Sequence, residues 1–254
     1  MQKHYFLIAK VTFKVKLFSM VNVKKIIVTG SSSGIGKSIT KELIKKKIKV
    51  IGISRNNNES LIKSKYFQSE EIDLSELKNI PMRIEKILDE NEDIEGLISC
   101  VGVGYFGNLE NFSVDQILSS INTNLISHVI LTKYLVPFLK KKNKGKLVYI
   151  GSESALDGGK KGSLYSAAKF GLRGFTQSIR AEVASRNITV TLINPGMVKT
   201  NFFNNLDFQP GLSKKNSIIV YDIAKVIISI LQMDTNTSVD EVVMNPIIKS
   251  VIKK

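Results

Sequence analysis

The stretch Lys25–Ser54, KIIVTGSSSGIGKSITKELIKKKIKVIGIS, decides the fold of this chain. IIVTG (Ile26–Gly30) is a short apolar run, rich in β-branched residues and closed by a turn, as expected of a strand buried on both faces of a parallel sheet. SSSGIGKSITKELIKKK follows, with Ile35, Ile39 and Leu43 at helical spacing, and IKVIGIS (Ile48–Ser54) reads as a second strand. Strand, glycine-rich turn, helix and strand within about 30 residues make a βαβ unit.

Outward from this unit the alternation continues. Leu97–Val101, Lys146–Ile150, Thr189–Ile193 and a short run near Glu241–Met244 read as strands. Val114–Lys140, with Pro137 near its end, Tyr165–Ser185 and Tyr221–Gln232 read as helices. Strands alternating with helices predict an α/β fold: a doubly wound parallel sheet with helices on both faces, in one domain. No linker, composition break or internal repeat marks a second domain.

The turn itself is T-G-x-x-x-G-x-G, Thr29 to Gly36, passing through Ser32, Ser33 and Ile35. Gly30 permits the tight turn, Gly34 lets the backbone approach a pyrophosphate, and Gly36 allows close helix packing. The N-terminus of the following helix offers free N–H groups and the positive end of its dipole to phosphates. With the strand before it and the helix after it, the turn predicts a dinucleotide site. At the end of the second strand an NAD site presents an acid to the ribose 2′-hydroxyl. Here Gly52-Ile53-Ser54-Arg55-Asn56 has no acid, and Arg55 is suited to pair with a 2′-phosphate, with Ser32 and Ser33 adding hydrogen bonds. The expected cofactor is therefore NADP(H). Asp73-Leu74, after a third short strand, is placed to touch an adenine, although an Asp there serves equally as a helix N-cap.

Tyr165 and Lys169 are four residues apart, one turn of a helix on the same face, and Ser152 lies thirteen residues before the tyrosine. A nearby ammonium favours phenolate, so Lys169 is expected to draw the Tyr165 pKa down from about 10, towards the range useful for general acid–base work. Ser152 is suited to hydrogen-bond a carbonyl or alcohol oxygen against that phenol. Alone, such a spacing occurs on many solvated helix faces; its company along the chain gives it weight.

The whole chain of 254 residues carries 37 basic and 22 acidic side chains, a formal charge of +15. Only five of the basic residues are arginine (Arg55, Arg83, Arg173, Arg180, Arg186), and the lysines are spread over many segments, such as Lys45–Lys47, Lys140–Lys142 and Lys160–Lys161. A nucleic-acid surface would cluster arginine and aromatic residues on one face, so the charge reads first as solvated surface, with no nucleic-acid partner expected. No apolar run approaches the roughly 20 residues of a membrane span, so no membrane partner is expected. One cysteine, Cys100, fits a reducing compartment, and a cytoplasmic location is expected. Residues 1–20 carry four lysines and no acid; their apolar runs are broken by Lys10, Lys14 and Lys16. They read as a basic extension preceding a domain over 21–254, with Met20 as a second candidate start and an organelle-targeting segment as the other reading.

With the glycine-rich turn, Ser152, Tyr165-x-x-x-Lys169 and Asn194-Pro195-Gly196 in this order, the chain resembles the short-chain dehydrogenase/reductase family over about residues 22–246. The resemblance implies a Rossmann fold, Tyr165 as catalytic acid/base, Ser152 orienting the substrate oxygen, and Lys169 holding the nicotinamide ribose. It implies that Asn124, in Asn122-Thr123-Asn124-Leu125, keeps a water in the proton relay. It also implies that the segment carrying Pro195, Gly196, Val198 and Thr200 contacts the nicotinamide, and that the chain forms a homodimer or homotetramer. One departure stands out: Ser99-Cys100-Val101-Gly102 replaces the family's Asn-Asn-Ala-Gly. Gly102 keeps close approach to the cofactor possible, and altered stability or cofactor affinity is expected there.

The resemblance implies an NADP(H)-dependent oxidoreductase interconverting a small-molecule carbonyl and a secondary alcohol, in the branch acting on 3-oxoacyl groups or small hydroxy acids. The segment after Thr200, with Phe202, Phe203, Leu206 and Phe208, either lines an apolar pocket or packs a lid on the core, and Glu153 beside Ser152 faces the pocket or away from it. A cofactor-binding regulator without the reaction is the competing reading, against which stands the presence of all four of Asn124, Ser152, Tyr165 and Lys169.

Overall fold

A computed structural model describes residues 23–56, 59–234 and 236–254. The basic extension, residues 1–20, and the boundary of the domain at 21 lie outside the described residues. In chain order the elements are β1 (Lys25–Thr29), α1 (Gly34–Lys45), β2 (Lys49–Ser54), the one-turn α2 (Glu59–Ile62), β3 (Phe67–Glu71), α3 (Ile80–Asp89), β4 (Ile94–Ser99), α4 (Val114–Ile121), α5 (Ser127–Lys142), β5 (Gly145–Ile150), α6 (Ser163–Val183), β6 (Ile188–Pro195), β7 (Phe208–Pro210), α7 (Val220–Gln232), β8 (Glu241–Met244) and β9 (Val251–Lys253).

Seven strands form one parallel sheet in the order β3-β2-β1-β4-β5-β6-β8. The order reverses between β1 and β4, the switch point outside whose carboxyl ends doubly wound folds place their ligands. Both faces are covered, which is why the strands are apolar almost without interruption. Ile26 and Val28 of β1 join Val50, Ile98, Val148 and Ile193 under α1 and α7, while Ile27 joins Ile51, Leu97, Leu147 and Leu192 under α3, α5 and α6. A small antiparallel pair, β7 with β9, lies apart from the sheet.

Two of the elements read from the sequence differ by more than a residue or two at their ends, and α2, α3, β7 and β9 were not read from it. The strand expected over Leu97–Val101 begins at Ile94 and ends at Ser99, because the N–H groups of Cys100 and Val101 leave the ladder and donate to Thr29 Oγ1 at 2.9 and 3.2 Å. The single helix expected over Val114–Lys140 is α4 and α5 joined by a π-helical turn, Asn122–Ile126. There Asn124 Nδ2 and Ser127 Oγ donate to the carbonyls of Ser120 and Thr123, so side chains take up main-chain acceptors and the turn widens. Among the described residues no helix is long and apolar enough to cross a membrane.

Candidate active site

Every strand end at the carboxyl edge of β1, β4, β5 and β6 feeds one cleft of about 640 Å³. β1 delivers the glycine-rich turn, in which Gly30 and Gly34 have φ of +64° and +51°, a left-handed backbone that glycine adopts without strain. A Cβ at Gly36 would overlap the Gly30 carbonyl, so this glycine is what lets α1 sit against the turn. The first turn of α1 carries no acid, leaving its positive end to face the cleft. Gly30, Ser32, Ser33, Gly34, Ile35 and Gly36 all line the cleft, and Arg55 is exposed at its edge, just past β2. Asp73 and Leu74 line it after β3. Asp73 caps no helix: its Oδ1 accepts from the Ser75 N–H and hydroxyl at 2.9 and 2.7 Å, a local turn, while Asn79 stands at the N-terminus of α3.

Opposite, Gly102, Tyr165, Lys169, Pro195, Gly196, Val198 and Thr200 line the same space. Ser152, Tyr165 and Lys169 are 8%, 8% and 3% exposed, so the three groups meet in a dry environment. Lys169 Nζ donates to the Ile150 carbonyl at 2.9 Å and lies 5.7 Å from the centre of the Tyr165 ring. Ser152 Oγ accepts from the Ser154 N–H at 3.1 Å, which opens the short 3-10 turn Glu153–Ala155.

The expectation that Lys169 draws the Tyr165 pKa down is overturned. Burial pushes the phenol up to about 12, the Ser152 hydroxyl opposes this, and the negative charge of Glu153 adds to it. Burial also pushes Lys169 down to about 8. A dry site disfavours both charged forms, and helical spacing alone reports nothing about dryness. Glu153 itself faces the cleft, with Oε2 paired to Lys249 Nζ at 2.5 Å.

Asn124 is fully buried and stands behind the cleft wall. Its side chain clamps the Val103 backbone in both directions, accepting from the N–H at 2.9 Å and donating to the carbonyl at 3.0 Å. A Cβ at Gly102 would come within 3.1 Å of Asn124 Oδ1 and 3.8 Å of Lys169 Nζ, so this glycine fits between the two. Where the family's asparagines are replaced, Ser99 Oγ hydrogen-bonds His128 Nδ1 at 2.7 Å, and His128 Nε2 lies 3.1 Å from the Val101 carbonyl. Cys100 is half-buried at the cleft wall, and desolvation pushes its thiol up to about 12, a chemically quiet group.

Sequence reasoning did not reach three contributors. Phe106 lies in the loop after β4, and its ring packs 5.1 Å from that of Tyr165; the signal was its place past a strand's carboxyl end. Glu241 and Arg173 support the serine from a distance. The Ser152 N–H donates to Asn194 Oδ1 at 3.1 Å, Asn194 Nδ2 to Glu241 Oε1 at 2.6 Å, and Arg173 holds Glu241 through Nε and Nη2 at 2.9 and 3.1 Å. A Cβ at Gly151 would overlap Asn194 Oδ1, so the strand end and the amide are fitted to one another. No local pattern in the sequence joins positions so far apart. Among the described residues no group of three or more His, Cys, Asp or Glu is arranged to hold a metal ion.

Comparison with known proteins gives this geometry relatives. The family model described as short chain dehydrogenase matches residues 24–210. A 3-oxoacyl-[acyl-carrier-protein] reductase, FabG, of Buchnera aphidicola subsp. Acyrthosiphon pisum is 36% identical over 200 residues, covering 76% of this chain and 82% of the relative. An NADP-dependent 3-hydroxy acid dehydrogenase of Schizosaccharomyces pombe is 32% identical over 244 residues, covering 90% and 94%. Among solved structures, an alcohol dehydrogenase from the archaeon Thermococcus sibiricus complexed with 5-hydroxy-NADP superposes with a TM-score of 0.79 at 21% identity, covering 89% of this chain and 97% of that one, a likeness of fold.

Proposed function

From the premise that the chain belongs to the short-chain dehydrogenases, we propose that it is an NADP(H)-dependent oxidoreductase that interconverts a carbonyl and a secondary alcohol. The observation that carries this reading is that Ser152, Tyr165 and Lys169 line the same cleft as the Gly30–Gly36 turn and the Pro195–Thr200 segment. The glycine cradle, the open end of α1 and the exposed Arg55 suit a dinucleotide with a 2′-phosphate, and the fission-yeast relative is named as NADP-dependent.

When bound, the nicotinamide supplies a hydride, two electrons and a proton, to the carbonyl carbon. Tyr165 adds the second proton at the oxygen. Its phenol, with a pKa of about 12, is neutral at pH 7 and so carries the proton that reduction consumes. Ser152 Oγ holds the substrate oxygen against that phenol. Lys169, with a pKa of about 8, keeps most of its charge at pH 7 and steadies the phenolate left behind. Asn124 acts as a positioning residue, fixing the Gly102–Val103 wall beside this proton path. A 3-oxoacyl group or a hydroxy acid is the substrate class suggested by the two relatives.

Tyr165→Phe is expected to lower turnover about 10²- to 10⁴-fold while NADPH, titrated by fluorescence, binds as before; undiminished turnover refutes the proton role. Arg55→Ala should weaken NADPH binding roughly 10- to 100-fold and leave NADH nearly unchanged, the effect of losing a hydrogen bond to a charged group. Equal losses for both cofactors would remove Arg55 from the 2′-phosphate.

A further inference from the structure

Four phenylalanine rings close a circuit beside the catalytic groups: Phe106 to Phe202 at 6.5 Å, Phe202 to Phe203 at 5.3 Å, Phe203 to Phe208 at 5.8 Å and Phe208 back to Phe106 at 5.1 Å between centres. Tyr165 touches the circuit at two corners, 5.1 Å from Phe106 and 5.9 Å from Phe202. Behind it a second cavity of about 520 Å³ continues along Phe106, Phe112, Phe202 and Leu206, with Gln116 and Asn205 as neutral polar groups.

The charges of this space are few and mostly committed. Arg55, which also borders the second cavity, and Asp73 lie past the ends of β2 and β3, where the proposed function assigns them to the dinucleotide. Lys169 is buried and tied to the Ile150 carbonyl. Near the phenol the remaining charge is Glu153, which lines the cleft and whose field reaches Tyr165. Its partner Lys249 comes from the exposed tail. A substrate carboxylate next to the reacting carbonyl would meet apolar rings and a negative charge, while the cations among the described residues lining this space, Arg55 and Lys169, are assigned to the dinucleotide and the Ile150 carbonyl. An apolar group bearing an uncharged carbonyl would meet a surface that buries it.

We propose that the Phe106–Phe202–Phe203–Phe208 circuit is the substrate-binding surface and that it selects a carbonyl carried on an aromatic or bulky apolar group, with an uncharged ester, thioester or alkyl neighbour in place of a free carboxylate. The proposal rests on the oxidoreductase reading for the position of the reacting carbonyl and narrows it: of the two substrate classes suggested there, it takes the acyl derivative over the free acid.

The test uses one aromatic ketone in two forms, ethyl benzoylformate and benzoylformate. Binding of each is measured to the NADPH complex of Tyr165→Phe, and turnover of each by the wild-type chain with NADPH. The ester is expected to bind at least tenfold more tightly than the acid and to be reduced in preference. Phe202→Ala, in the same background, should weaken the ester about tenfold. Glu153→Gln should tighten the acid roughly three- to tenfold. Acid binding equal to or tighter than ester binding, no binding of the ester, or ester binding unmoved or tightened by Phe202→Ala would each overturn the proposal. Tight ester binding that Phe202→Ala weakens, without wild-type turnover, would support the pocket and refute the reductase reading, so the two failures are separate.

Discussion

At the scale of single residues, the site is built from groups that resist the charge they need. Lys169 has its pKa lowered from 10.5 to about 8 by burial. Between these two values the unfolded chain binds a proton that the folded chain does not, so stability rises with pH through that window, and below about pH 8 the fold carries the full cost of a buried ammonium, about 3 kcal/mol. Lys169→Met removes that cost and leaves the Ile150 carbonyl without its donor, a partial offset of about 1–3 kcal/mol. The variant should therefore melt no lower than wild type at pH 7 while losing activity, and its advantage should shrink by pH 10; a melting temperature clearly below wild type at pH 7 would refute the account. For the same reason reduction should fall as pH rises through about 8 and Lys169 loses its charge, read as a break in a kcat profile. The pair was legible in the sequence because Tyr165 and Lys169 are side chains at helical spacing. The direction of their pKa shifts was not, because it depends first on dryness, which only packing creates.

At the scale of elements, strands such as β1 and β2 could be read because their own residues alternate between two buried faces. Helix α3 went unread, although Ile80, Ile84, Ile87 and Leu88, buried on one side, stand at helical spacing. The β7–β9 pair was illegible because it joins segments some 40 residues apart, and the π turn because Asn124 and Ser127 sit as readily in an ordinary helix. Element α5 contributes His128, fully buried, with its pKa lowered from 6.5 to about 3 by burial and by the charge of Lys169. Below about pH 6.5 the unfolded chain binds the proton that the folded chain refuses, so stability drains away as pH falls towards 3. His128→Gln should flatten that acid limb in thermal melts between pH 7 and 4; an unchanged slope would place the acid sensitivity elsewhere. The joint between β5, β6 and β8 makes a separate claim. Asn194→Ala should lower kcat about tenfold or more with the NADPH dissociation constant unchanged, while Glu241→Gln, which keeps an acceptor for Asn194, should retain most activity. Equal losses in kcat and NADPH affinity would mark Asn194 as general support for the sheet.

At the scale of the whole molecule, the two ends of the chain's logic meet over the cleft. In the proposed reading the sheet provides the dinucleotide half, and the segment 249–254 holds the substrate half. β9 pairs with β7, the Gly211 N–H donates to the Ser250 carbonyl at 2.9 Å, the Lys254 side chain reaches the Phe203 carbonyl, and Lys249 reaches Glu153. Removing residues 250–254 should raise the KM for a carbonyl substrate about tenfold and leave the NADPH dissociation constant and the melting temperature nearly unchanged. A matched loss of cofactor binding would show that the tail supports the entire cleft. The reach from Ser152 through Asn194 to Glu241, and from Glu153 to Lys249, also sets a timetable for the newborn chain. A ribosome releases the phosphate-cradling turn about 200 residues before Glu241, the serine's distant anchor. A message cut short before Glu241 therefore yields a polypeptide that has every reactive side chain yet holds the serine loosely, so competence arrives only after roughly seventy further residues beyond Lys169 have been made.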